Sequence, residues 1–187
     1  MATNAVFTVP YRRKREGKTN YKKRLELLKG KTCRLVVRKS NSSIQLQLVN
    51  YQPDGDVVIA AFNSLALAKK GWPYSFNSIP AAYVAGLELG VIAKNKQISN
   101  AIVDLGLQLP KKGGRLYAAI KGVLDAGISI PISEEVFPSE DRLIGKHIAS
   151  WDALTELATG YKKKKVSHKD LPKKVEEMKQ SLIGAGE

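Results

Sequence analysis

Cys33-Arg34-Leu35-Val36-Val37-Arg38, then Lys39-Ser40-Asn41-Ser42-Ser43, then Ile44-Gln45-Leu46-Gln47-Leu48-Val49, follow one another without interruption. The first stretch is rich in β-branched residues and reads as a strand. The second holds residues that tolerate tight or left-handed backbone, so it reads as a turn. The third alternates apolar and polar residues with period two, which predicts a strand with one buried face. Pro53-Asp54-Gly55 makes a second turn before Val57-Val58-Ile59-Ala60-Ala61. Three strands with short links predict an antiparallel meander.

Downstream the pattern becomes helical. Asn63–Lys70 is expected to form one or two turns before Gly71-Trp72-Pro73. Pro80–Lys94 predicts a buried helix, with Pro80 in its first turn and small residues for close packing. Ala101-Ile102-Val103-Asp104-Leu105 reads as a short apolar strand, placed centrally in the sheet. Leu107–Gly114 is a loop, and Arg115–Ala126 a second core helix stopped by Gly127. Ile128-Ser129-Ile130 is expected on or beside the sheet. A meander followed by strand and helix predicts an α/β fold: a mixed sheet with helices on its faces. After Pro131 short helices are expected at Arg142–His147 and Trp151–Ala158, and a final amphipathic helix over Asp170–Ile183. The chain thus divides into a basic arm with a short helix (1–30), an α/β core (31–131) and a helical C-terminal extension (132–187).

The 187 residues carry 31 Lys+Arg against 17 Asp+Glu, a net charge of +14. Residues 1–30 hold +7 of it, residues 31–160 only +3, and residues 161–187 the remaining +4. The middle is an ordinary globular domain, and 43% hydrophobic residues suffice for its core. The basic ends call for a polyanion. In the arm, Tyr11-Arg12-Arg13-Lys14-Arg15 precedes Lys18, Tyr21, Lys22, Lys23 and Arg24. Arg offers planar forks to phosphate, Lys offers point charges, and Tyr can stack on exposed bases. A solvated tail or a localisation signal is the plainer reading of the same run. Tyr11–Lys18 has little apolar surface to bury and is expected to be disordered until neutralised. Tyr21, Leu25 and Leu28 share one face of a predicted helix capped by Thr19 or Asn20 and ended by Gly30.

Other classes fit poorly. A single cysteine, Cys33, allows no internal disulfide framework and no cysteine-rich zinc site, and two histidines are too few for a His-built metal centre. No apolar run approaches the ~18 residues of a membrane span, and the basic ends lack the apolar face of a membrane-surface helix. Neither cofactor nor metal is expected. Asp104 is expected to cap a turn, Asp125 to be structural, and His147 to be a surface or capping residue. No triad spacing or phosphate loop is present, so no catalytic residue is assigned.

Four pieces, in order, carry a resemblance to a known family. They are Tyr11-Arg12-Arg13-Lys14-Arg15-Glu16-Gly17-Lys18-Thr19-Asn20-Tyr21 with Lys23-Arg24-Leu25; Arg34-Leu35-Val36-Val37-Arg38-Lys39-Ser40-Asn41; Gly71-Trp72 with Asn77, Pro80-Ala81-Ala82-Tyr83 and Gly86; and Asp104-Leu105-Gly106-Leu107 with Lys112-Gly113-Gly114-Arg115, Ala118-Ala119, Lys121-Gly122 and Asp125-Ala126-Gly127. Over residues 7–150 the chain resembles the large-subunit ribosomal protein L-eighteen family, in its archaeal form. The resemblance implies a three-layer α/β domain that binds 5S ribosomal RNA and fastens it to the large ribosomal RNA in the central protuberance. It also implies a neighbouring 5S-binding protein of the L-five family and a cytoplasmic place in the ribosome. RNA contacts are then expected at the arm residues named above, at Arg38, Lys39, Ser40 and Asn41 of the hairpin, at Lys111, Lys112 and Arg115, and at Lys70 and Trp72. Core packing is an equal reading of Trp72. The tail 161–183 could bind RNA, bind protein or cap the domain. The alternative function is an RNA-processing nuclease with an RNase-H-like sheet, which needs three or four convergent acids and a divalent metal.

Overall fold

The computed structural model describes residues 6–150 and 168–184. The meander forms as the alternation requires: β1 (Arg34–Lys39), β2 (Ile44–Asn50) and β3 (Val57–Asn63) pair antiparallel. The register sets Leu35 opposite Leu48 and Val37 opposite Leu46, so one face is continuously apolar. A fourth strand, β4 (Ile102–Asp104), runs parallel to β1. The strand order β3-β2-β1-β4 puts β4 at the edge, not in the centre as its apolar run suggests. Its start is covered on the far side by the 128–130 segment, through a bridge between Asn100 and Ser129. That cover explains why an edge strand is apolar.

Two short helices precede the sheet, α1 (Arg12–Arg15) and α2 (Tyr21–Lys29). A 3-10 segment (Ser64–Lys70) leads to α3 (Ile79–Asn95), and α4 (Arg115–Asp125) follows β4. The Ser78 hydroxyl caps α3 by accepting from the Ala81 N–H at 3.3 Å, with Pro80 in the first turn. α3 packs on β2 and β3, α4 on β1, and the two helices lie side by side. The approach is backbone to backbone. A Cβ on Gly86 would sit 2.1 Å from the Ala119 carbonyl oxygen, and one on Gly122 would sit 2.2 Å from that of Tyr83. The Tyr83 hydroxyl donates to Asp125 at 2.8 Å and ties the end of α4 to α3, the structural part expected of Asp125. Burial, then the carboxylate beside it, pushes the Tyr83 phenol well above its ordinary pKa.

In the extension, α5 (Glu140–Ile144) and α6 (Lys146–Ala149) replace the single helix expected over 142–147, parted at Gly145. The C-terminal helix (Leu171–Gly184) packs on α3, α5 and α6. Its Leu171, Val175 and Met178 join the main apolar cluster. α3 is therefore enclosed by sheet, α4 and C-terminal helix, which is why it is apolar nearly all round. The layers are the sheet, the α3–α4 pair and the C-terminal helix. Trp151–Ala158 and the Tyr161–Lys165 run lie outside the described residues. Among the described residues no helix is long and apolar enough to cross a membrane.

Candidate nucleic-acid interface

The sheet face away from α3 and α4 carries charge. Arg34, Val36 and Arg38 alternate with the buried Leu35 and Val37, so strand geometry points them the other way. Arg34 is 2% exposed, an unusual state for a guanidinium, and it is held by two carboxylates. Its Nη2 lies 2.7 Å from Asp56 Oδ2 and its Nη1 lies 3.2 Å from Asp104 Oδ2. Asp104 does cap its turn, accepting from the Gly106 N–H at 2.8 Å. It also holds Arg38, through its carboxylate at 3.2 Å and its backbone carbonyl at 2.6 Å. Gly106 has φ +59°, and a side chain there would press on the Arg38 guanidinium at 2.9 Å. Asp56 further accepts from Arg24 of α2, both oxygens at 2.9 Å. Burial alone would raise the Asp56 carboxyl. The hydrogen bonds from Arg34 and Arg24 outweigh it and hold the group below the usual carboxylate range.

In the structure the arm follows a defined path beside α2. Arg12–Arg15 makes one helical turn, Arg12 and Lys18 both reach Glu16 at 2.8 Å, and Arg13 Nε donates to Thr19 Oγ1 at 2.8 Å. The Tyr11 and Tyr21 rings meet at 5.1 Å, folding the arm back on α2. Counting apolar burial overlooked these contacts. Lys18 and then Arg12 lower the Glu16 carboxyl. Asn20, one of the two proposed caps, accepts from the Lys23 N–H at 3.1 Å. Between arm, α2 and sheet edge lies a cleft of about 530 Å³, lined by the cations Arg13, Lys18, Lys23, Arg24 and Arg38, by Tyr21, and by the paired carboxylates Asp56 and Asp104. Lys14, Arg15 and Lys22 are exposed on the same arm and helix.

A second cleft, about 600 Å³, gathers Lys39, Lys111, Lys112 and Arg115. Sequence distance separates these residues, and two side chains join them. The Asn77 side-chain amide donates to the Asn41 backbone carbonyl at 2.7 Å, while the Asn77 backbone carbonyl accepts from Arg115 at 3.1 Å. Gln108 brackets Lys39, accepting from its N–H at 3.1 Å and donating to its carbonyl at 2.9 Å. Arg142 and His147 of the extension also line this cleft. The sequence did not place either at such a cleft, since their signal is weak: two basic side chains beside an acidic stretch.

Three expected contacts are otherwise engaged. The Ser40 hydroxyl closes its own turn, accepting from the Ser43 N–H at 3.0 Å. Lys70 lies 2.6 Å from both oxygens of the buried Glu88. Trp72 is 3% exposed, so packing rather than base stacking is its role here. Neither Lys70 nor Trp72 lines either cleft. Burial raises the Cys33 thiol, the reverse of an activated nucleophile.

A family model described as "Ribosomal large subunit proteins 60S L5, and 50S L18" matches residues 5–99, half of the chain. A large ribosomal subunit protein uL18 from Sulfurisphaera tokodaii is 42% identical over 196 aligned positions, covering 100% of both chains. The chain belongs to the uL18 family of large-subunit ribosomal proteins. The uL18 of Methanococcus maripaludis is 41% identical over 98% of this chain and 99% of its own. That of Korarchaeum cryptofilum is 49% identical over 81% of this chain and 77% of its own. The resemblance therefore runs past residue 150, through the extension, in archaeal uL18 proteins. As a member of this family the chain is a structural constituent of the large ribosomal subunit, cytoplasmic in the ribosome.

Proposed function

We propose that the chain binds 5S ribosomal RNA and attaches it to the large ribosomal RNA in the central protuberance, beside the L-five family protein. The observation that carries this reading is the pair of basic clefts. Each draws cations from separate parts of the chain: the first lies between arm, α2 and the charged face of the sheet, the second at the starts of α3 and α4 beside the end of β1. Two clefts suit a protein that holds two RNA elements at once. Cations that converge by folding favour a defined RNA shape over loose attraction.

The nuclease alternative requires convergent acids. Among the described residues no three His, Cys, Asp or Glu side chains are grouped to hold a cation. Asp104, the sheet's own carboxylate, is neutralised by Arg34 and Arg38. Incubation of RNA with Mg²⁺ separates the two readings: stoichiometric binding supports attachment, turnover supports a nuclease. The decisive assay is a gel shift with 5S ribosomal RNA against a transfer RNA competitor across a salt series. The proposal expects 5S ribosomal RNA to persist at salt concentrations that release transfer RNA. Equal affinity for both would contradict it.

A further inference from the structure

α2 buries no residue fully, and its Leu25 is 58% exposed. Apolar packing therefore holds it loosely against the domain. Among the described residues, one side chain of α2 makes a hydrogen bond to the sheet and its loops: Arg24, through both oxygens of Asp56. The arm depends on α2 in turn, through the Tyr11–Tyr21 contact. Asp56 itself is anchored by the buried Arg34, and Arg34 is anchored by Asp104, which also holds Arg38 at the start of the hairpin. An unbroken polar chain thus runs from α2 to the hairpin, with two acids inside a basic surface, and the ring contact joins the arm to its start.

For attraction to RNA alone, those acids are a liability. We propose that Asp56 is a positioning residue: it fixes α2 and the arm in one orientation against the sheet before RNA arrives, so that less ordering remains to be done on binding. The inference rests on the RNA-binding reading above, but its first readout does not. Preorganisation raises affinity by reducing the entropy lost in the complex, whereas an extra positive charge raises it by releasing counterions. For Asp56→Asn the two effects have opposite signs.

The test uses the full chain. In Asp56→Asn without RNA, amide exchange over residues 11–29 rises by roughly tenfold or more, while α3 and α4 exchange as before. Affinity for 5S ribosomal RNA falls by about tenfold although net charge has risen. Asp56→Glu restores part of both. With Arg12, Arg13, Lys14 and Arg15 all changed to Gln, the Asp56→Asn penalty on affinity shrinks to little or nothing; a merely structural role would leave it in place. If Asp56→Asn loosens the whole fold, Arg24→Gln is read by exchange alone, since it leaves both acids on Arg34. Unchanged arm exchange in that variant overturns the proposal, as does tighter RNA binding by Asp56→Asn. Failure of the wild-type chain to prefer 5S ribosomal RNA would overturn the RNA reading while leaving the exchange result intact.

Discussion

On one face of the sheet Leu35, Val37, Leu46 and Leu48 are fully buried beneath α3 and α4, whose backbones touch at Gly86 and Gly122. On the other face Arg34, Arg38 and Asp104 hold one another, and the arm leans in from the side. Both faces come from the same strands, because successive side chains point opposite ways. The apolar face supplies stability through contacts that admit no added atom. The charged face uses carboxylates, the buried Asp104 and the more exposed Asp56, to aim its cations. Damage to the first should unfold the protein, and damage to the second should change what it binds.

The largest effect is expected from Gly122→Ala. Its Cβ would strike the Tyr83 carbonyl, so the helices must separate, at a cost of about 3 kcal/mol or more. Urea unfolding checks this, and a midpoint within error of wild type would refute the close approach. Asp104→Ala comes next. It leaves Arg34 with one carboxylate and Arg38 with backbone carbonyls alone, and should cost about 2–3 kcal/mol together with a loss of RNA affinity. A loss of stability alone would place Asp104 wholly with the apolar face.

The third prediction is a pH effect. The folded state holds the Asp56 carboxyl below its ordinary range. Its contribution is therefore fully present above about pH 4, the ordinary Asp value, and is lost as pH falls through the lower folded pKa. Stability measured from pH 6 to pH 2 should fall less steeply for Asp56→Asn over that acid range. The smallest stability effect belongs to the arm. Changing Arg12, Arg13, Lys14 and Arg15 to Ala should alter stability by less than about 1 kcal/mol, since exposed ion pairs contribute little. The slope of log affinity against log salt should nonetheless flatten by about 0.7–0.9 per lost phosphate contact.

The apolar face was legible because period two and period 3.6 report which residues a neighbour must cover. The hairpin, α3 with Pro80 in its first turn, and α4 follow from that. Periodicity does not say which neighbour does the covering, so β4 was placed centrally, although a bridge to Ser129 shields it at the edge. The charged face was half legible. Runs of Lys and Arg stand out, so composition singles out the arm, while Lys39 and the Lys111–Arg115 loop were named through the family resemblance. Their organisers were not. Asp56 follows an ordinary turn, Gln108 sits in an ordinary loop, and Arg142 and His147 are isolated basic residues. Each matters through partners far away in sequence, and nothing local marks it.

The most direct test is amide hydrogen exchange of the full chain with and without 5S ribosomal RNA. Protection should appear over residues 11–29, around Arg38–Asn41 and over Lys111–Arg115, with none added in the middle of α3. Protection confined to surfaces outside the two clefts, or none at all under stoichiometric binding, would contradict the assignment of the two clefts as the RNA-binding surface.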